Sequence, residues 1–153
     1  MVIPGFKRLR LFLAAAAVAA ALTLFLLFGP PRLVEHSESP EFCATCHVHD
    51  SHYESFSHWG AHRRGRCVDC HLPNDTAANH FFWKGVDGAK DLALFHSGLF
   101  SERLRLTEHG RHVLQANCIR CHETTVAHID PDRPCWECHR RAGHKGAALA
   151  KIQ

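Results

Sequence analysis

Every cysteine in the chain belongs to a Cys-x-x-Cys-His pattern. The four copies are Cys43-Ala44-Thr45-Cys46-His47, Cys67-Val68-Asp69-Cys70-His71, Cys118-Ile119-Arg120-Cys121-His122 and Cys135-Trp136-Glu137-Cys138-His139. Two thiols at this spacing beside an imidazole suit one chemistry. The thiols add across the vinyl groups of a haem, and the histidine reaches the iron. Zinc also takes thiolate and imidazole, but its sites pair two half-sets of ligands and do not repeat a histidine directly after each Cys-x-x-Cys. A disulfide framework would use the eight cysteines and have no need of the four histidines. The reading is four covalently held c-type haems, and with them electron transfer.

The rest of the composition agrees. The chain has 153 residues and 15 histidines, so a pool of imidazoles remains for the opposite faces of the irons. A domain this short builds only a thin apolar core, which four porphyrins would thicken. The net charge of +3 is a weak signal, compatible with haem propionates or an acidic partner.

These motifs need an element that fixes their address and elements that space them. Lys7, Arg8 and Arg10 precede an apolar run from Leu11 to Phe28, and Gly29-Pro30-Pro31 stops it. As a helix that run spans roughly 27 Å, close to a bilayer core. The positive cluster keeps the N-terminus in the cytoplasm and sends the remainder outward. A cleaved signal peptide has the same charge pattern, but a shorter apolar stretch with a small-residue cleavage site after it. Here Ala19-Ala20-Ala21 lies inside the run, so an uncleaved anchor is expected. Two regions follow: residues 1–29 as cytoplasmic start and membrane anchor, and 30–153 as a periplasmic haem domain.

Within that domain, residues 30–40 read as a linker with turn chemistry. The motifs fall into two close pairs, separated by a stretch without a motif from Leu72 to Asn117. The expectation is two dihaem halves joined by a helical insert, mainly α with little or no sheet. One helix should run from about Asp75 or Thr76 to Ser97, stopped by Gly98. A second should start after Ser101 as its N-cap and run to about Ala116. On the first, His80, Lys84, Gly88 and Asp91 share one face within about 80° of arc, with Phe82, Val86, Ala89 and Ala93 opposite. Phe81, Phe82 and Trp83 suit a membrane interface. Gly85 and Gly88 would let a flat ring approach the backbone. The alternative is an ordinary amphipathic helix whose polar stripe faces water.

The anchor, the four motifs and the insert resemble the NapC/NirT/NrfH family of membrane-anchored quinol dehydrogenases. The most specific matches are His62 shortly before Cys67, the segment Cys67-Val68-Asp69-Cys70-His71-Leu72-Pro73, and the ending Cys138-His139-Arg140-Arg141-Ala142-Gly143-His144. The short tail after His144 is most similar to the branch of small subunits of cytochrome c nitrite reductase. The resemblance implies proximal ligands His71 and His139 for the second and fourth haems, with His144 and His62 as their distal ligands. It implies His122 as proximal ligand of the third haem. The distal ligand there is left among His109, His112, His128 and a group from a partner. That branch often binds the first haem through a methionine two residues after the motif histidine. Here that residue is His49 and the only methionine is Met1, so His47 and His49 remain alternatives.

Lys84 and Asp91 match family positions near the quinol pocket and the first haem, and the resemblance makes them the candidate quinol site. Quinol oxidation needs a proton acceptor beside an electron acceptor. Asp91 would take or relay a proton, and Lys84 would donate a hydrogen bond to a quinone oxygen. The function implied is oxidation of menaquinol at the bacterial inner membrane and delivery of electrons to a periplasmic multihaem reductase. The catalytic subunit of cytochrome c nitrite reductase is the first expectation. A periplasmic nitrate reductase is the alternative recipient, and a tethered electron carrier without quinol chemistry the alternative function. Membrane lipid is an implied partner, and nucleic acid is not.

Overall fold

The computed structural model describes residues 4–30, 32–59, 61–101 and 104–144, and among them all regular structure is helical. The first helix, α1, is Pro4–Phe28. Its stretch Lys7–Phe28 is long and apolar enough to cross a membrane, and its side chains stand exposed around the circumference. A helix that is apolar all round needs lipid or protein about it. The chain turns sharply where α1 ends. A Cβ on Gly29 would run into the carbonyl of Phe25, and Arg32 takes the left-handed conformation at φ 46°. The short α2 (Leu33–His36) then packs back against α1.

The helix α3 (Pro40–Cys43) is capped by Ser39, whose hydroxyl accepts from the Phe42 amide. It leads through a 3₁₀ turn, His47–His49, into α4 (Asp50–Trp59). The second motif is itself a helix, α5 (Cys67–His71). The insert helix α6 is Ala77–Ser97. Thr76 caps its start and Gly98, at φ 70°, ends it in a conformation that suits glycine.

One expectation is corrected. The second insert helix, α7, is Glu108–Val126 with Thr107 as N-cap. Residues 104–107 ahead of it are not helical, its N-cap is Thr107 and not Ser101, and Glu102 and Arg103 lie outside the described residues. Both Ser101 and Thr107 satisfy the local rule for a cap, so the choice is made elsewhere in the fold. The helix also continues past Ala116 through the third motif, with a kink at His122 (φ −115°, ψ 17°). The last helix, α8, is Cys135–Cys138.

The two motif pairs, expected as halves joined by the insert, also meet directly: α5 packs on α7. The apolar interior around this seam is thin. Phe56, Val68, Leu72 and Val113 are the buried apolar side chains among the described residues, and no side chain is wholly enclosed. So thin a core does not hold a domain of this size together by itself. It fits a chain that wraps flat apolar groups bonded to its motifs.

Candidate haem ligands and a charged junction beside the anchor

The seam between the second and third motifs is built from two side-chain amides, with Arg120 of α7 donating to Asn117 Oδ1 at 3.3 Å. Asn117 of α7 donates to the carbonyls of Leu72 (2.8 Å) and Cys70 (3.1 Å) at the end of α5. Asn74 donates to the Leu72 carbonyl at 2.7 Å and to Asn117 Oδ1 at 3.3 Å. These two side chains satisfy helix-end carbonyls that would otherwise be orphaned. The other end of α5 is closed by Asp69, which accepts from the Arg66 amide at 2.9 Å and from its guanidinium at 2.8 Å.

The cysteines follow the same adjacency. Cys43 and Cys67 are hydrogen-bonding neighbours, as are Cys118 and Cys135, and Cys70 feels the charge of Cys121. The four motifs thus make contact in chain order, first to second to third to fourth.

Two metal–imidazole bonds of about 2 Å plus the half-width of each ring put two ligands of one iron roughly 6 Å apart, centroid to centroid. Two pairs match. His71 and His144 lie 6.2 Å apart. His62 and His122 lie 5.9 Å apart. The first pair is the expected one. The second differs from the expectation, because His62 meets the third motif's histidine and not His139. It reaches this position through its Nδ1 contact with the Ala142 carbonyl at 3.1 Å, on the loop after the fourth motif. His139 itself is exposed at the end of α8 and meets no other ring among the described residues.

Iron-ligating histidines usually donate their second ring nitrogen to an acceptor, which fixes the tautomer. His144 Nδ1 donates to the His52 carbonyl at 3.0 Å, and His62 Nδ1 to that of Ala142. The same arrangement holds His49, whose Nδ1 lies 3.0 Å from the Cys43 carbonyl. His47 has no such bond and instead packs on Phe95 (5.5 Å) and Phe100 (6.1 Å). His71 is pushed down to about 4 by burial and by His144, His52 and His49, so its ring is neutral, as a ligand must be. Of the other histidines considered, His112 and His128 are exposed, and His109 stacks on Trp83 at 3.6 Å.

The insert helix is inverted relative to an ordinary amphipathic one. Two of its polar residues turn inward, His80, which is buried, and Lys84, whose side chain is 21% exposed, while Asp91 stays exposed. Its apolar residues Phe82 (63%) and Leu92 (58%) face outward. The inward groups converge on Glu38, just after α2, whose side chain is only 10% exposed. Lys84 Nζ stands 3.1 Å and His80 Nε2 3.2 Å from Oε1, while Arg66 Nη1 stands 2.7 Å from Oε2. Burial alone would raise the Glu38 carboxyl. Lys84, His80 and Arg66 outweigh it and hold the group below its ordinary range.

Glu38 and Arg66 wall two cavities. One, of about 230 Å³, is otherwise lined by Leu27 and Phe28 at the end of α1 and by Arg32, Val34 and Glu35. The other, of about 280 Å³, is lined by residues 74–77, His80 and Phe81.

The structure does not bring Lys84 and Asp91 together. Seven residues separate them on α6, roughly 10 Å along the axis. Asp91 is exposed and its nearest charge is Lys90 at 3.7 Å. Both do face the first motif's surroundings. Lys84 acts electrostatically on Cys43, and Asp91 stands one turn before the Phe95 that packs on His47. A Cβ on Gly85 or Gly88 would meet nothing within 4 Å, so the backbone is open there. Glu38, Asn74 and Asn117 were not found by sequence reasoning. Their types are ordinary for loops and helix surfaces, and their partners lie far off in sequence.

Comparison with known proteins accounts for this arrangement. The family model described as the NapC/NirT cytochrome c family, N-terminal region, matches residues 7–145. The cytochrome c-type protein NrfH of Wolinella succinogenes is 29% identical over 147 residues, covering 86% of this chain and 83% of that protein. The cytochrome c nitrite reductase subunit NrfH of Nitratidesulfovibrio vulgaris is 28% identical over 143 residues, covering 92% and 86%. A chain in the crystal structure of the cytochrome c nitrite reductase NrfHA complex bound to the HQNO inhibitor shares the fold. Its TM-score is 0.67 at 23% identity, covering 85% of this chain and 87% of that one. With one membrane-anchoring helix, an all-helical described structure and its Cys-x-x-Cys-His motifs in contact, the chain belongs to the NapC/NirT cytochrome c family.

Proposed function

We propose that this chain oxidises menaquinol at the outer face of the bacterial inner membrane and passes the electrons through four c-type haems to the catalytic subunit of a cytochrome c nitrite reductase. The haem domain is periplasmic in this reading, with the N-terminus in the cytoplasm. The haems supply one-electron acceptors. The cysteines of the four motifs hold them, with ligand pairs His71/His144 and His62/His122 for the second and third. His49 ligates the first, and His139 ligates the fourth from one side.

One observation carries the quinol assignment. The first part of the polar stripe of α6, His80 and Lys84, turns inward toward the anchor exit and the first motif, although a polar stripe left to itself faces water. Quinol oxidation breaks two O–H bonds and releases two protons and two electrons. The protons need acceptors where the electrons leave. Lys84 and Asp91 lie on that stripe, and Gly85 and Gly88 leave it open to a flat ring. The membrane-side cavity is smaller than the ~300–1,000 Å³ pockets that enclose whole ligands. It suits a ring head group whose tail stays in the bilayer. The outward Phe81 and Phe82 suit the headgroup layer. The NrfH relatives and the NrfHA neighbour support the choice of recipient.

The test is reconstitution. Vesicles holding the full-length haem-loaded chain, a menaquinol analogue and a purified cytochrome c nitrite reductase catalytic subunit should consume nitrite, and omission of any of the three should stop consumption. Nitrite loss at the same rate without this chain would contradict the proposal. Reduction of the haems with no transfer to that subunit, but with transfer to a periplasmic nitrate reductase, would replace the recipient.

A further inference from the structure

We propose that Glu38 and His80 form the proton relay of the quinol site, carrying protons from the membrane-side cavity to the outer one. The inference rests on the quinol-oxidising reading; it adds Glu38, which neither the motifs nor the α6 stripe single out, and gives the stripe's His80 a role. Its basis is a count of hydrogens. His80 Nδ1 lies 2.9 Å from the Pro73 carbonyl, which only accepts, so Nδ1 carries a hydrogen. A neutral imidazole protonated there presents a lone pair at Nε2. Yet Nε2 lies 3.2 Å from Glu38 Oε1, another acceptor. The contact is attractive only with a further proton between the two. The pair therefore holds one exchangeable proton, buried.

The location suits a relay. Glu38, with Arg66, lines both cavities. On one side are Leu27 and Phe28 of the anchor, with Arg32 and Glu35 at the rim. On the other are His80 and Asp75, the latter at the mouth toward solvent. The charged groups facing the pair are Arg66 from α5 and Lys84 from α6, and Asp69 in turn holds Arg66. The two cations keep an added proton from resting there. The step balances. A quinol O–H bond breaks in the membrane-side cavity and an O–H bond forms on Glu38. The proton already on His80 Nε2 leaves to water in the outer cavity, and Glu38 then restores it. The electron left on the quinol passes to the haem domain, and a second passage completes the two-proton, two-electron oxidation.

The experiment uses the full-length haem-loaded protein in detergent, reduced anaerobically by a menaquinol analogue or by dithionite across a range of pH. Glu38→Gln and His80→Gln should slow quinol-driven reduction roughly 10–100-fold and flatten its pH profile. Dithionite reduction and the haem spectrum should be unchanged, and Glu38→Asp should recover part of the rate. Quinol rates within about twofold of the parent would overturn the relay. So would parallel loss of quinol reduction, dithionite reduction and haem spectrum in Glu38→Gln and Glu38→Asp alike, which marks a structural role. If the unsubstituted protein is reduced by dithionite and never by quinol, the quinol-oxidising reading itself fails, whatever the variants do.

Discussion

The junction beside the anchor and the seam between the second and third motifs do similar mechanical work with opposite chemistry. The junction ties the linker, α5 and α6 through one buried carboxylate and three potential cations. The seam ties α5 to α7 through two asparagines and the carbonyls of residues 70 and 72. A seam of amides and Arg120, none of which titrates near neutral pH, holds its geometry across that range, which suits histidine pairs that must keep fixed separations. A charged junction can take up and release protons, which suits the place where a quinol would be oxidised. Under the proposed function, the static part of the molecule would serve electron passage and the titratable part substrate chemistry.

The seam should give the largest effect on stability. Asn117→Leu leaves the Cys70 carbonyl without its side-chain donor, while Leu72 keeps that of Asn74, at about 1–3 kcal/mol for one buried unsatisfied group. The midpoint of thermal unfolding of the haem-loaded protein should fall by roughly 5 °C, by the same amount at pH 5 and pH 8. A pH-dependent loss would erase the contrast between the two regions.

The junction should respond to acid where the seam does not. The Glu38 carboxyl sits below its ordinary value in the fold. Its contribution is therefore complete above the unfolded carboxylate value near 4.3 and is lost as pH falls through the lower folded value. The difference in unfolding midpoint between the parent and Glu38→Gln should be widest near neutral pH and close below pH ~4. A difference that stays constant into acid would mean that Glu38 does not act as a charge.

The first motif, beside the junction, can be sharpened by its ligand. A thioether in place of imidazole raises haem potential. His49→Met should raise the potential of one haem and change its near-infrared and electron paramagnetic signatures, while His47→Met should leave all four unchanged. The reverse pattern would assign His47 to the iron. The smallest effect belongs to Asp91→Asn. An exposed carboxylate 3.7 Å from Lys90 contributes at most about 0.5 kcal/mol. Unfolding should barely move, and only the rate of reduction by quinol should fall.

Much of this was legible in the sequence, for identifiable reasons. The motifs are local chemistry, and α6 announces itself through Thr76 and Gly98, a hydroxyl cap and a glycine stop that act on their own neighbours. Glu38 was not legible. In Ser37-Glu38-Ser39 it reads as a solvated linker charge, and its burial depends on Arg66, His80 and Lys84, which are 28, 42 and 46 positions away. His62 shows the same limit. Its neighbourhood to the fourth motif follows from the Ala142 contact, but its ring partner His122 is set by where α7 kinks. The start of α7 was misplaced because Ser101 and Thr107 are equally good caps, and the packing of α5 on α7 is not written in either.

The central claim is that electrons enter this chain from a quinol. The most direct measurement mixes the oxidised full-length protein in detergent with a menaquinol analogue, without oxygen or any partner, and follows the haem absorption bands. The account predicts prompt reduction of the haems, slowed by Asp91→Asn. Full reduction by dithionite with none by the quinol would contradict it, and would leave a tethered electron carrier in its place.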